Sequence, residues 1–147
     1  MKSRINDKIK DIENYLEEIL EYAPKSYEDY CNKKLEKAAC ERIFEKIIEA
    51  ILDAAFLIIR YKKLDAPKEE AEVFKVLSIN NIITNKLAEN LKEAKAMRNF
   101  IVHEYGEIDD SKVYTAITEE LESDVNEFIK SIGESLWKIK KFFKYSL

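Results

Sequence analysis

The sequence predicts an all-α protein: a single up-and-down bundle of about five helices with a long second helix, residues 1–147 forming one domain. Three observations lead there. Only two glycines and two prolines occur in 147 residues, so the chain has few points at which a helix must stop. Isoleucine, leucine, alanine, lysine and glutamate dominate the composition, as in amphipathic helices. Apolar side chains recur at three- and four-residue steps along nearly the whole chain. A chain of this length buries a real core.

Ile5, Ile9, Ile12, Leu16 and Leu20 mark a first helix that stops before Pro24. Ser26 can cap the second. Its apolar positions include Tyr30, Leu35, Ala38, Ala39, Ile43, Ile47, Ile51, Ala54, Ile58 and Ile59. It is predicted to run uninterrupted to about Tyr61, roughly 50 Å at about 1.5 Å per residue. A helix that long packs against several others or against a second copy of itself. Pro67 opens a shorter helix through Phe74, Val76 and Leu77, and Ser78-Ile79-Asn80-Asn81 reads as a break. A fourth helix starts near Thr84, carries Leu87, Leu91, Ala94 and Phe100, and is expected to end at Gly106. Asp109, Asp110 and Ser111 are each competent to cap the last helix. That helix carries Val113, Ile117, Leu121, Val125, Phe128, Ile132, Leu136, Ile139 and Phe143.

Several function classes drop out. No segment at the start combines a basic end, an apolar stretch and a small-residue cleavage site. The most apolar window, 47–59, contains Glu49 and Asp53 and is too short to span a bilayer, so a cytoplasmic protein without a membrane partner is expected. Cys31 and Cys40, nine residues apart on one predicted helix, are separated by about 13 Å of rise, beyond disulfide reach. One histidine with two separated cysteines does not supply a zinc site from a single chain, and no metal or cofactor is expected. A net charge of −4 argues against a non-specific nucleic-acid coat. The charge is uneven, however: every charged residue in 107–127 is acidic apart from Lys112. Lys92, Lys95 and Arg98 precede them, and Lys138, Lys140, Lys141 and Lys144 end the chain.

Arg98-Asn99-Phe100-Ile101-Val102-His103-Glu104-Tyr105 is the stretch that carries chemistry, and His103 is the chain's one histidine. Arginine offers phosphate a permanent planar fork, and imidazole moves protons near pH 7. Metal-free cleavage of RNA needs a base for the 2′-hydroxyl, an acid for the leaving 5′-oxygen, and a cation for the crowded phosphorane. Tyr105 can donate a hydrogen bond to a phosphate oxygen. On a regular helix Arg98 and Tyr105 nearly share a face, whereas His103 lies about 140° round from Arg98. Asn99 shares the face of His103 and can fix its tautomer. Either the helix unwinds near Val102, or a second chain completes the site. One histidine cannot be acid and base in a single step, whereas a two-fold dimer presents two. The plainer reading makes His103 a cap or surface residue, Arg98 a partner for helix-end carbonyls and Tyr105 a half-buried aromatic. Phe100, Ile101 and Val102 read as packing residues and Glu104 as solvent-facing.

The pattern R-x4-H-x-Y, set in MRNFIVHEYGEID, resembles the signature of HEPN-domain ribonucleases, in particular the HepT toxins. The likeness runs from about Leu35 to Phe128. Ala38-Ala39-Cys40-Glu41-Arg42 and Glu49-Ala50-Ile51-Leu52-Asp53 look like segments of that family's long second helix. Val73-Phe74-Lys75-Val76-Leu77, Ile82-Ile83 and Ile108-Asp109 look like those that flank its motif. The resemblance implies a five-helix homodimer and a metal-independent endoribonuclease toxin, with Arg98 and His103 in a cleft between protomers. RNA is the implied substrate, transfer RNA being among the targets of related proteins. The implied partner is an MNT-type nucleotidyltransferase antitoxin, which silences such toxins by adenylylating the motif tyrosine, here Tyr105. The alternative is a catalytically silent HEPN helper that binds a nucleotidyltransferase or a nucleotide. Arg42 and Asp53, about three helical turns apart, share a face without touching. They read first as ion-pair partners of neighbouring helices and second as supports for Arg98 or His103.

Overall fold

Ile5, Ile12, Leu16 and Ile19 are buried along one side of α1 (Lys2–Tyr22), which fixes the face it turns to the core. The computed structural model describes residues 1–103 and 107–146, with side chains as far as Leu136. Helix α1 ends ahead of Pro24, with the Ala23 N–H donating to the Ile19 carbonyl at 2.9 Å. Ser26 then caps α2 (Tyr27–Asn32), accepting the Asp29 N–H at 3.1 Å.

The predicted unbroken second helix is divided. Lys33 leaves the helical region (φ −92°, ψ 83°), and α3 (Lys34–Tyr61) starts afresh. The cause is tertiary. The bend lets Tyr30 reach zero exposure, with its ring centroid 5.2 Å from that of Tyr114, while Leu35, expected on the apolar face, is 84% exposed. Burying one aromatic outweighs continuing one helix. Cys31 and Cys40 therefore sit on different segments as free thiols, half-buried and buried. Burial pushes the Cys40 thiol up to about 11, with help from Glu36 and Glu41.

Helix α3 is the hub. Residues on several of its faces, including Phe44, Ile47, Ile48, Ile51, Ile58 and Ile59, are buried, as a helix surrounded by others requires. It packs against α1, α4 (Val73–Ile79) and α5 (Asn85–His103). A 3₁₀ turn, Glu70–Glu72, precedes α4, and Val73, Phe74 and Leu77 anchor that helix in the core. The expected break follows: Asn81 takes φ 59°, and the Ile82 N–H donates to Leu77 at 2.9 Å. Thr84 Oγ1 accepts the Leu87 N–H at 3.1 Å and starts α5.

Of the three candidate caps for the last helix, Asp109 serves, accepting the N–H groups of Ser111 and Lys112 at 3.0 and 3.3 Å. That helix is α6 (Asp110–Thr115), a π-helical segment (Ala116–Glu120) and α7 (Leu121–Ser146). The interruption follows from spacing. Val113, Ile117, Leu121 and Val125 recur every four residues, wider than the α-helical repeat, and underwinding keeps all four facing the core. Phe128, Ile132 and Leu136 continue the buried line; the side chains of Ile139 and Phe143, and the Gly106 helix stop, lie outside what is described. Counted with their kinks, α1, α2–α3, α4, α5 and α6–α7 are the five expected rods, and no strand occurs among the described residues. Among those residues no helix is long and apolar enough to cross a membrane.

Candidate active site

Helix α5 carries the motif and stays α-helical through His103. Unwinding near Val102, one of the two solutions the spacing allowed, does not occur. Arg98 and His103 therefore leave the helix axis about 140° apart. His103 is exposed on the last turn, and Asn99, one turn earlier on nearly the same face, is half-buried. Tyr105 and Glu104 lie outside the described residues.

Arg98 turns inward, its side chain only 14% exposed. Its Nη2 donates to Glu70 Oε1 at 3.0 Å, and its Nη1 lies 3.9 Å from Glu49 Oε1 on α3. The first is a hydrogen-bonded ion pair; the second is charge contact only. The Arg98 Nε is buried with no hydrogen-bond partner among the described residues. The guanidinium thus sits between two carboxylates contributed by other elements, rather than at the helix-end carbonyls of the plainer reading.

Ile101 is buried as expected of a packing residue, but Phe100 and Val102 are each 41% exposed in the single chain. Beside Phe100, a groove of about 430 Å³ opens between α5 and the start of α6, with Met97, Ile101, Ile108 and Val113 in its walls. Glu93, Glu107 and Asp109 line it against Lys112 alone, a charge balance that suits an apolar or cationic group better than a phosphate. Lys92 is exposed and Lys95 half-buried on α5, while the side chains of Lys138, Lys140, Lys141 and Lys144 lie outside the described residues. No group of acidic, cysteine or histidine side chains spaced to hold a metal ion occurs among the described residues.

Asp53 pairs with Lys8 of α1 at 3.2 Å, an ion pair to a neighbouring helix as read from the sequence. Arg42 corrects that reading: it bonds Glu45 on its own helix at 2.6 Å and stays 58% exposed. Neither supports Arg98. Glu70 and Glu49 do, and sequence reasoning missed both. They stand 28 and 49 positions from Arg98, so no local period signals them.

The family model described as Ribonuclease HepT-like matches residues 12–132. An mRNA nuclease HepT of Shewanella oneidensis is 35% identical over 88 residues, which are 60% of this chain and 65% of that protein. A tRNA nuclease HepT of Aphanizomenon flos-aquae is 28% identical over 114 residues, 78% of either chain. The fold also matches a tri-AMPylated Shewanella oneidensis HEPN toxin solved in complex with its MNT antitoxin. There the TM-score is 0.85 at 28% identity, covering 91% of this chain and 99% of that one.

Proposed function

The chain belongs to the Ribonuclease HepT-like family, and from that membership we propose that it is the endoribonuclease toxin of a HepT/MNT toxin–antitoxin pair, acting in the cytoplasm as a homodimer. The observation that carries the reading is the unbroken course of α5 through His103. With Arg98 and His103 diverging on one helix, a productive site draws on two protomers across a two-fold axis. The exposed Phe100 and Val102, within the motif between Arg98 and His103, supply apolar surface of the kind such a contact covers.

In this mechanism one His103 imidazole takes the proton of the ribose 2′-hydroxyl. The 2′-oxygen then bonds to phosphorus, and the partner copy's imidazole protonates the departing 5′-oxygen. The products are a 2′,3′-cyclic phosphate and a 5′-hydroxyl end, and no metal takes part. Arg98 neutralises the phosphorane, whose charge exceeds that of the ground-state diester. Asn99 holds the imidazole tautomer. Adenylylation joins the Tyr105 phenolic oxygen to the α-phosphorus of ATP and releases pyrophosphate. The bulky anion then occludes RNA and competes for Arg98.

One observation favours a second reading. Arg98 is already engaged by two carboxylates, as expected of a catalytically silent helper whose motif is only a docking surface for a nucleotidyltransferase. Incubation with RNA in EDTA separates the two. The nuclease reading expects cyclic-phosphate ends from the wild type and none from Arg98→Ala or His103→Ala; an inert wild type supports the helper. With the cognate nucleotidyltransferase and ATP, mass should rise by AMP units in wild type and not in Tyr105→Phe. An undiminished mass shift in that variant removes the regulatory part.

A further inference from the structure

Arg98 has no acceptor within one turn of its own helix. Its neighbours three and four residues away are Ala94, Lys95, Ile101 and Val102, none of which offers a side-chain hydrogen-bond acceptor. A long arginine left to itself samples many rotamers, and a cation that must meet a phosphorane gains from being held. The hold comes from elsewhere. Glu70 Oε1 accepts from Nη2 at 3.0 Å, whereas Glu49 at 3.9 Å lies beyond hydrogen-bond distance of Nη1. Glu70 opens the 3₁₀ turn three residues before Val73, which has zero exposure and anchors the backbone there, while the Glu70 side chain is 48% exposed.

We propose that Glu70 is a positioning residue for the nuclease reaction, holding the Arg98 guanidinium in one orientation through Nη2, with Glu49 tempering its charge without fixing its geometry. This rests on the nuclease reading of Arg98. The two carboxylates have a second consequence. Both lie beside the cation that meets RNA, so each also repels the substrate's phosphates. Geometry and affinity are thus set against each other, and the variants should separate them.

Glu70→Ala should lower kcat roughly tenfold, the scale expected when a reacting group loses its fixed placement. KM for RNA should fall rather than rise, because a negative charge has gone. Glu70→Gln keeps an acceptor oxygen and should restore most of kcat while keeping the lowered KM. Glu49→Gln should lower KM and cost less kcat than Glu70→Ala. A merely structural role for Glu70 would instead reduce kcat at constant KM, in step with melting temperature, and would overturn the proposal.

A readout independent of cleavage keeps this test distinct from that of the nuclease reading. The Arg98 Nε–H is buried, so its NMR resonance should exchange slowly with water in the wild type. The same resonance should broaden or vanish in Glu70→Ala and persist in Glu49→Gln. If it is unchanged in Glu70→Ala, Glu70 does not hold Arg98 and the inference is wrong, whatever the kinetics. If it vanishes while the wild type cleaves no RNA, the hold stands and the nuclease reading fails.

Discussion

Lys37 Nζ stands 2.8 Å from Asp110 Oδ2, joining the first turn of α3 to the first turn of α6. The pair is partly shielded, at 27% and 24% exposure, and Asp110 follows the motif segment by five residues from Tyr105. It therefore pins the far side of that segment to the helix at the centre of the core. The bond to Asp110, the largest influence on this lysine, raises its pKa.

Lys37→Met should accordingly destabilise the protein by about 1–2 kcal/mol, more than an exposed pair would, because Asp110 is left half-shielded and uncompensated. The sign of the pH dependence follows from the raised lysine value. The contribution is fully present below the unfolded pKa and disappears as pH climbs through the folded one. Alkaline denaturation of wild type and variant should therefore converge, while their neutral-pH midpoints differ; equal midpoints at neutral pH would show the pair to be idle.

Asp124 presents the opposite case. Burial raises its carboxyl pKa, although Asn90 Nδ2 donates to Oδ1 at 3.1 Å and Lys86 pulls the other way; Glu127 and Glu93 add to the rise. The folded protein thus binds a proton that the unfolded chain releases. Its stability gains as pH falls through the raised value, and the gain levels off below the unfolded one. Asp124→Asn keeps an acceptor for Asn90 and should stabilise the protein at pH 7 by a few tenths to about 1 kcal/mol. Urea titrations across pH 3–7 should show the advantage shrinking toward acid.

Tyr114 donates its hydroxyl to the Pro24 carbonyl at 2.8 Å while its ring packs on Tyr30. Tyr114→Phe keeps the ring and loses the bond, so a cost of about 1 kcal/mol is expected in chemical denaturation. Tyr114→Ala should cost about 3 kcal/mol or more, since the support for buried Tyr30 goes with it.

Gly133 lies within α7, and a Cβ added there would meet no atom of the described residues within 4 Å beyond its own stretch of helix. Gly133→Ala should therefore stabilise the chain by about 0.5–1 kcal/mol through helix propensity and reduced freedom of the unfolded state. A loss of stability on this substitution would mean that another molecule occupies that face.

Mixing Arg98→Ala with His103→Ala protomers tests the shared cleft. Each variant alone should be inactive, and heterodimers formed by subunit exchange, which hold one arginine and one histidine, should stay inactive because the second imidazole is missing. Recovery of cleavage under conditions of proven exchange would show that one histidine suffices and would overturn the two-imidazole mechanism.

The positions of the helices were legible because their signals are local. Apolar steps, Pro24, the Ser26 and Asp109 caps and the Ser78–Asn81 break each act within about one helical turn. The divergence of Arg98 and His103 was legible as well, since it follows from their spacing along α5. What the sequence determined by itself was this set of rods and the divergence of the two groups on one of them.

Only the tertiary structure decided the rest. Lys33 breaks the second helix because Tyr30 gains more by packing on Tyr114 than the backbone gains by continuing. The π-helical segment appears because four buried residues must face one core. Arg98 meets Glu70 and Glu49 because α5 packs on α3 and follows the turn before α4. Each of these depends on residues brought together from distant parts of the chain, and no pattern confined to a single helix encodes such a meeting.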